Sequence, residues 1–151
     1  MIGVNHLNSN SEFQNLDLID LLSERHGLVR GISEKRWNDN SEIYISNSEW
    51  YIMARIYKKK PTISYVTKRV DISRQAIHKF IKNLSAKGLV EVKNVENNKK
   101  EKCIELTALG EECYEKNENL KAKLENEIAE KIGTEQVKIL KDLLKSEWGI
   151  E

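Results

Sequence analysis

The sequence contains one proline, Pro61, and seven glycines among 151 residues. So little punctuation leaves a mostly helical chain as the expectation. Its two cysteines, Cys103 and Cys113, stand ten positions apart and are too few for a disulfide scaffold, which makes a reducing cytosol the expected compartment. No stretch approaches the roughly 18 consecutive apolar residues that a membrane span needs. The opening residues Met1-Ile2-Gly3-Val4-Asn5-His6 lack the basic-then-apolar order of a secretory signal. A cytoplasmic protein without a membrane partner is therefore expected. Gly-rich phosphate loops, nucleophile elbows and paired carboxylates are missing as well, so an enzyme is the least supported class. His6, His26 and His78 have no metal-like spacing to one another or to the cysteines, and neither a metal nor another cofactor is expected. Net charge is scarce too, at +1, which taken alone argues against a polyanionic partner. What is present is ordinary for a globular protein, with 32% charged and 39% hydrophobic residues and the length of one domain.

The near-zero charge is a cancellation between segments. Residues 1–57 hold 5 basic and 8 acidic side chains, net −3. Residues 58–102 hold 13 and 4, net +9, and residues 103–151 hold 7 and 12, net −5. A basic middle between acidic flanks is the footprint expected of one face that meets nucleic acid, although a merely solvated lysine-rich stretch would read the same.

Apolar periodicity orders the chain. Residues 1–11 are Asn/Ser-rich and aperiodic, and are read as frayed or partly extended. From Phe13 the positions Leu16, Ile19, Leu22, Leu28, Val29 and Ile32 recur at helical spacing, widened by Leu18 and Leu21. A helix apolar on more than one face needs more than one covering surface. A polar loop leads to a second helix, about Ser48 to Lys58, capped by Ser48 or Asn47. Pro61-Thr62 opens a third helix through about Val70, with Ile63, Val66 and Val70 inward. Ser73 is placed to cap a fourth, Arg74 to Lys87, burying Ile77, Phe80 or Ile81, and Leu84, and Gly88 suits its left-handed end. Leu89–Val92 and Lys102–Leu106 alternate as two strands around the polar tip Asn94–Lys100. Thr107 caps a long helix carrying Leu120, Leu124, Ile128 and Ile132; Gly133 breaks it, and Thr134 is expected to cap a last helix striped by Val137, Leu140, Leu144 and Trp148.

Helix, short turn, polar-fronted helix and basic-tipped hairpin in that order make a winged helix-turn-helix. At about 1.5 Å per residue the fourth helix is roughly 20 Å long and narrow enough for a DNA major groove. Ser73, Arg74, Gln75, His78, Lys79 and Lys82 lie on its polar face. Arg and Gln carry paired donors and acceptors that match guanine and adenine edges. Lys82, further along, suits a phosphate. Thr62 and Ser64, beside Lys58-Lys59-Lys60, can bring hydroxyls and a helix N-terminus to the backbone.

These residues resemble the MarR family of bacterial transcriptional regulators. The resemblance is carried by Ile72-Ser73-Arg74-Gln75-Ala76-Ile77-His78-Lys79, by Leu84-Ser85-Ala86-Lys87-Gly88-Leu89-Val90, and by Leu106-Thr107-Ala108-Leu109-Gly110. The family pattern is a Ser-led recognition helix, a Leu-Glu-x-x-Gly-Leu-Val exit, and Leu-Thr-x-x-Gly after the wing. Two departures stand out: Asn98, Lys99 and Lys100 replace the usual Asp-Arg-Arg of the wing, and Ser85 replaces the Glu of the exit. Lys keeps the charge but not the planar fork of Arg, which implies looser, less selective wing contacts. The resemblance implies a single domain over 1–151, mainly α with a small hairpin wing: a winged helix-turn-helix at 46–106 flanked by dimerisation helices at 11–37 and 107–148. It also implies a homodimeric repressor on double-stranded, pseudo-palindromic DNA. The wide stripe of the first helix and the Leu120/Leu124/Ile128/Ile132 seam favour a dimer independently; packing within one chain is the alternative.

The resemblance further implies a small-molecule pocket between the dimerisation helices and the winged helix. Trp37, Tyr44, Trp50 and Tyr51 cluster near that place, and aromatics with polar tips suit an aromatic or amphipathic effector. They suit a core equally. Redox-sensing members carry a reactive cysteine in the first helix, and this chain has none there. Two other readings stay open: a thiol sensor through Cys103 and Cys113, and a winged helix used for protein contact.

Overall fold

The computed structural model describes residues 13–151 apart from Asn97, and Lys99 only through its backbone. The aperiodic segment 1–11 and the expected helix start at residue 11 lie outside the described residues.

The first long helix, α1 (Leu18–Asp39), begins later than the apolar spacing suggested. Asp17 intervenes as N-cap, its carboxylate accepting from the Asp20 N–H at 2.9 Å. Phe13 to Leu16 form one separate turn, with the Arg25 guanidinium 4.5 Å above the Phe13 ring. Helix α2 (Asn47–Ile56) is capped by Ser46, one or two residues before the expected Asn47 or Ser48. The reason is a capping box: Ser46 Oγ accepts from the Glu49 N–H at 3.3 Å while the Glu49 carboxylate accepts from the Ser46 N–H at 2.9 Å. Thr62 caps α3 (Ile63–Arg69), the helix that Pro61-Thr62 was expected to open, and Ser73 caps α4 (Arg74–Ala86) as expected from the sequence.

The strands are longer than the alternation indicated. β1 (Val90–Val95) pairs antiparallel with β2 (Asn98–Leu106), with Val92 opposite Ile104. Asn98 Oδ1 accepts from the N–H groups of Lys100 and Glu101 at 3.0 and 3.3 Å, where the pairing slips from Asn94 opposite Lys102 to Val95 opposite Asn98. The hairpin is tied to the start of α3 by the Ile104 N–H, which donates to the Pro61 carbonyl at 2.9 Å. Thr107 caps α5 (Ala108–Ile132) as expected. Thr134 does not cap α6 (Thr134–Lys145): Gly133 occupies the cap position, and no side chain bonds there.

One core unites the end of α1 with the winged helix. Trp37, Ile45, Ile52, Met53, Ile56, Val66, Ile77, Leu84, Leu89 and Ile104 are fully buried in it. Phe80 and Ile81 both contribute, Ile81 buried and Phe80 partly so. Outside this core, Leu18, Ile19, Leu28 and Ile32 of α1 and Ile139, Leu140, Leu143 and Leu144 of α6 remain exposed. No described helix is long and apolar enough to cross a membrane.

Candidate nucleic-acid interface

The apolar face of α4 fixes its polar face. With Ile77, Ile81 and Leu84 buried, the 3.6-residue period turns Ser73, Arg74, Gln75, His78, Lys79 and Lys82 to solvent, and all six are exposed. The helix is oriented at its start by Ser73, whose Oγ accepts from the Ala76 N–H at 3.2 Å. At its exit Gly88 takes the left-handed conformation, φ +78°, and the Leu89 N–H returns to the Leu84 carbonyl at 3.0 Å.

Wing and recognition helix share one cleft. A cavity of about 270 Å³ is lined by Ser64, Thr67, Arg74, His78, Lys100 and Lys102, with Ile63 and the single carboxylate of Glu101. Four residues singled out in the sequence, Ser64, Arg74, His78 and Lys100, therefore meet in one place. On the far side of His78 a second cleft of about 640 Å³ runs past Lys82 and Ser85 to Val92. Asn98 is exposed at the hairpin tip, while the Thr62 hydroxyl is engaged as the α3 cap, accepting from the Tyr65 N–H at 3.0 Å. Thr67 and Lys102 were not singled out from the sequence. Strand periodicity would have found Lys102, since residues two apart share a face and Lys100 was already placed on it.

Carboxylates from the acidic flanks reach part of the basic segment. Lys58 pairs with Glu111 at 3.1 Å, Lys60 with Glu105 at 3.3 Å, and Lys93 with Glu105 at 2.7 Å. Lys87 pairs with Glu49 at 2.7 Å. The Lys93 and Lys60 ammonium groups hold the Glu105 carboxyl below the usual carboxylate range. Arg74, Lys79, Lys82, Lys100 and Lys102 make no ion pair among the described residues. Unneutralised positive charge therefore remains on α4 and on the second wing strand, as it does on Lys59, Lys68 and Arg69 near α3.

The aromatic group does not come together as one pocket. Trp37 and Trp50 are buried and pack edge to face with ring centroids 5.0 Å apart, filling the space between α1 and α2. The Trp37 indole donates to the Ile43 carbonyl at 2.9 Å. Tyr44 and Tyr51 are exposed, and Tyr51 supports Arg55 from its ring face and hydroxyl. Polar tips made these four look like ligand-lining residues; in the fold, the two tryptophans serve the core.

The two cysteines sit in different surroundings. Cys113 is buried in the core, and that burial, with Glu112 nearby, pushes its thiol up. Cys103 is half-buried on β2, beside the bridge to Thr62. Among the described residues no group of three or more His, Cys, Asp or Glu side chains is arranged to hold a metal.

Residues 45–110 match the family model described as a winged helix DNA-binding domain. Among solved structures, apo MarR from E. coli superposes with a TM-score of 0.74 at 20% identity, over 86% of this chain and 96% of that one. FabT from Streptococcus pneumoniae, in complex with DNA, gives 0.70 at 20% identity over 84% and 90%. A MarR-like transcription regulator from Bacillus cereus gives 0.68 at 19% identity over 91% and 94%. No curated protein sequence matches the chain significantly. The chain has the winged-helix fold of the MarR structures.

Proposed function

We propose that this chain, a winged-helix protein of the MarR fold, is a sequence-specific transcriptional regulator that binds double-stranded DNA as a homodimer. The observation that carries the reading is the shared cleft: Arg74 and His78 of the recognition helix, Ser64 of α3 and Lys100 of the wing line one groove. In this reading Arg74 and Gln75 meet base edges, with Ser73, His78 and Lys79 around them. Lys82, Thr62, Ser64 and the wing residues Asn98, Lys99 and Lys100 meet the phosphate backbone.

Dimerisation draws support from the apolar groove between α1, α5 and α6, about 530 Å³ and lined by Leu22, Val29, Leu124, Ile128, Leu140 and Leu144. A monomer rarely leaves such a surface to water. Two-fold symmetry would set the recognition helices about 34 Å apart, one DNA turn, on a pseudo-palindrome. Repression follows if the operator overlaps a promoter. A small aromatic or amphipathic effector would act by binding one helix spacing better than another.

Selection of bound sequences from random duplex DNA at two fixed salt concentrations tests the reading. Enrichment of an inverted repeat with one preferred spacing is expected. Uniform, salt-sensitive retention of all sequences would reduce the protein to a non-specific binder, and no retention at all would return the winged helix to a protein-contact role.

A further inference from the structure

The carboxylate of Glu49 is buried in the core region, and no part of DNA recognition uses it directly. Its partner is Lys87, the C-cap residue of the recognition helix, whose Nζ donates to Glu49 Oε1 and Oε2 at 2.9 and 2.7 Å. The same ammonium donates to the Tyr44 carbonyl oxygen at 2.6 Å. Tyr44 sits in the loop between α1 and α2, and both its neighbours are fastened to α1. The Ile43 carbonyl accepts from the Trp37 indole at 2.9 Å, and the Ile45 N–H donates to Asn38 Oδ1 at 3.1 Å. Glu49 in turn holds the start of α2 through the Ser46 N–H at 2.9 Å. One polar strut therefore runs from α1 through the loop to the exit of α4.

Buried ion pairs are poor devices for stability, because desolvation offsets much of their attraction and apolar replacements are often as stable. They are directional, however, and this one sits at the end of a lever. At about 1.5 Å per residue, the 13-residue α4 is about 20 Å long, so a tilt of about 5° at Lys87 carries Arg74 and Gln75 through nearly 2 Å. Hydrogen bonds to base edges do not survive such a displacement.

We infer that Lys87 and Glu49 are positioning residues: their ion pair, buried at Glu49 and part-exposed at Lys87, fixes the angle of the recognition helix against α1 and α2, and so the spacing at which two such helices can read DNA. The inference rests on the DNA-binding reading for its consequence, but its geometric core does not.

The test replaces both charges together, Lys87→Met with Glu49→Gln, so that neither charge is left alone while the acceptor for the Ser46 N–H is kept, and uses Lys87→Arg as the conservative control. Spin labels at Lys35→Cys on α1 and Lys79→Cys on α4, in a Cys103→Ser, Cys113→Ser background diluted with unlabelled chain, report the angle as a distance distribution. The double replacement should keep its helix content and melt near the parent protein, yet broaden that distribution, while Lys87→Arg keeps it narrow. On DNA, without labels, affinity for an isolated half-site should stay within about threefold, affinity for the selected two-site operator should fall at least tenfold, and the preferred half-site spacing should blur. An unchanged distance distribution in the double variant overturns the strut. So does a loss that falls equally on half-site and operator. Should the double variant fail to fold, Glu49→Gln alone replaces it under the same criteria. If the parent protein selects no DNA sequence, the DNA-binding reading fails by itself, and the distance measurement still decides the strut.

Discussion

The hydroxyl of Thr107, which caps α5, donates to the carbonyl oxygen of Gly88 at the exit of the recognition helix over 2.6 Å. Thr107 Oγ1 also accepts from the Gly110 N–H at 3.0 Å, and the Thr107 N–H donates to the Leu89 carbonyl at 3.0 Å. Helix α4 and helix α5 are thus locked at one point, three hydrogen bonds from Thr107 serving both the cap and the junction. This gives the run Leu106-Thr107-Ala108-Leu109-Gly110 its physical content. Thr supplies an oxygen that donates in one direction and accepts in the other, and Gly lets the Leu89 carbonyl approach the first turn of α5.

Gly110→Ala should break that junction. A Cβ there would lie 2.1 Å from the Leu89 carbonyl oxygen, which is backbone and cannot swing away. Separation of α5 from the α4 exit is the only relief, at a loss of about 2–3 kcal/mol of stability. Thermal and denaturant unfolding of the variant measure it; a melting temperature equal to that of the parent protein would mean that the junction is not tight.

Short-range signals and long-range packing explain what the sequence disclosed and what it withheld. Ser73 and Thr107 were legible as caps because a cap is chosen by its own side chain within three residues. The polar face of α4 was legible because Ile77, Ile81 and Leu84 define the opposite face at helical spacing. Ser46 was missed in favour of Asn47 or Ser48, although Glu49 three residues on completes a capping box that would have identified it. The late start of α1 at Leu18 follows from Asp17, another cap passed over because the apolar spacing runs on through it. Trp37 and Trp50 illustrate the harder failure. A polar-tipped aromatic has the same composition in a pocket as in a core, and only the edge-to-face contact across α1 and α2 separates the two. Likewise the charge of +9 on residues 58–102 could not disclose which lysines are neutralised, since Glu49, Glu105 and Glu111 reach them through the fold.

Recognition helix and wing should fail differently when truncated. Gln75→Ala or Arg74→Ala should weaken the selected operator by about 1–3 kcal/mol and relax specificity at one base position. Lys100→Ala, or Lys99→Ala, should weaken every sequence alike and reduce the slope of log affinity against log salt by about 0.9 for each phosphate that is no longer neutralised. Electrophoretic mobility shifts with specific and random duplexes over a salt series separate the two. An equal loss on both duplexes for Gln75→Ala and Arg74→Ala would remove base reading from them.

Glu105 gives the fold a dependence on acid. Its folded pKa is lowered by Lys93 and Lys60, so its contribution is complete above the ordinary carboxylate range and is lost as pH falls through the lowered folded value. Glu105→Gln should therefore lower the melting temperature at pH 7, and the gap to the parent protein should close as pH is taken down from about 5 to about 3. Melts across that range check the sign. A gap that stays constant with pH would assign the effect to packing and not to the charge.

The apolar groove of α1, α5 and α6 should hold a second copy of the chain. Leu140 and Leu144 are each about half exposed (47% and 52%), so replacing either by Glu changes little within one chain. Against a partner the same carboxylate would be stripped of water beside Leu22, Val29 and Ile128, and Arg25, Arg30 and Lys121, which also line the groove, would offset only part of that cost. Burial of that charge should weaken association by about 3 kcal/mol, roughly a hundredfold in dissociation constant. Sedimentation equilibrium on Leu140→Glu, with helix content and melting followed in parallel, is expected to give a folded monomer where the parent chain gives a dimer. A persistent dimer would place the interface elsewhere. A folded parent chain that sediments as a monomer at tens of micromolar would remove the two-fold arrangement, and with it the reason for an inverted repeat.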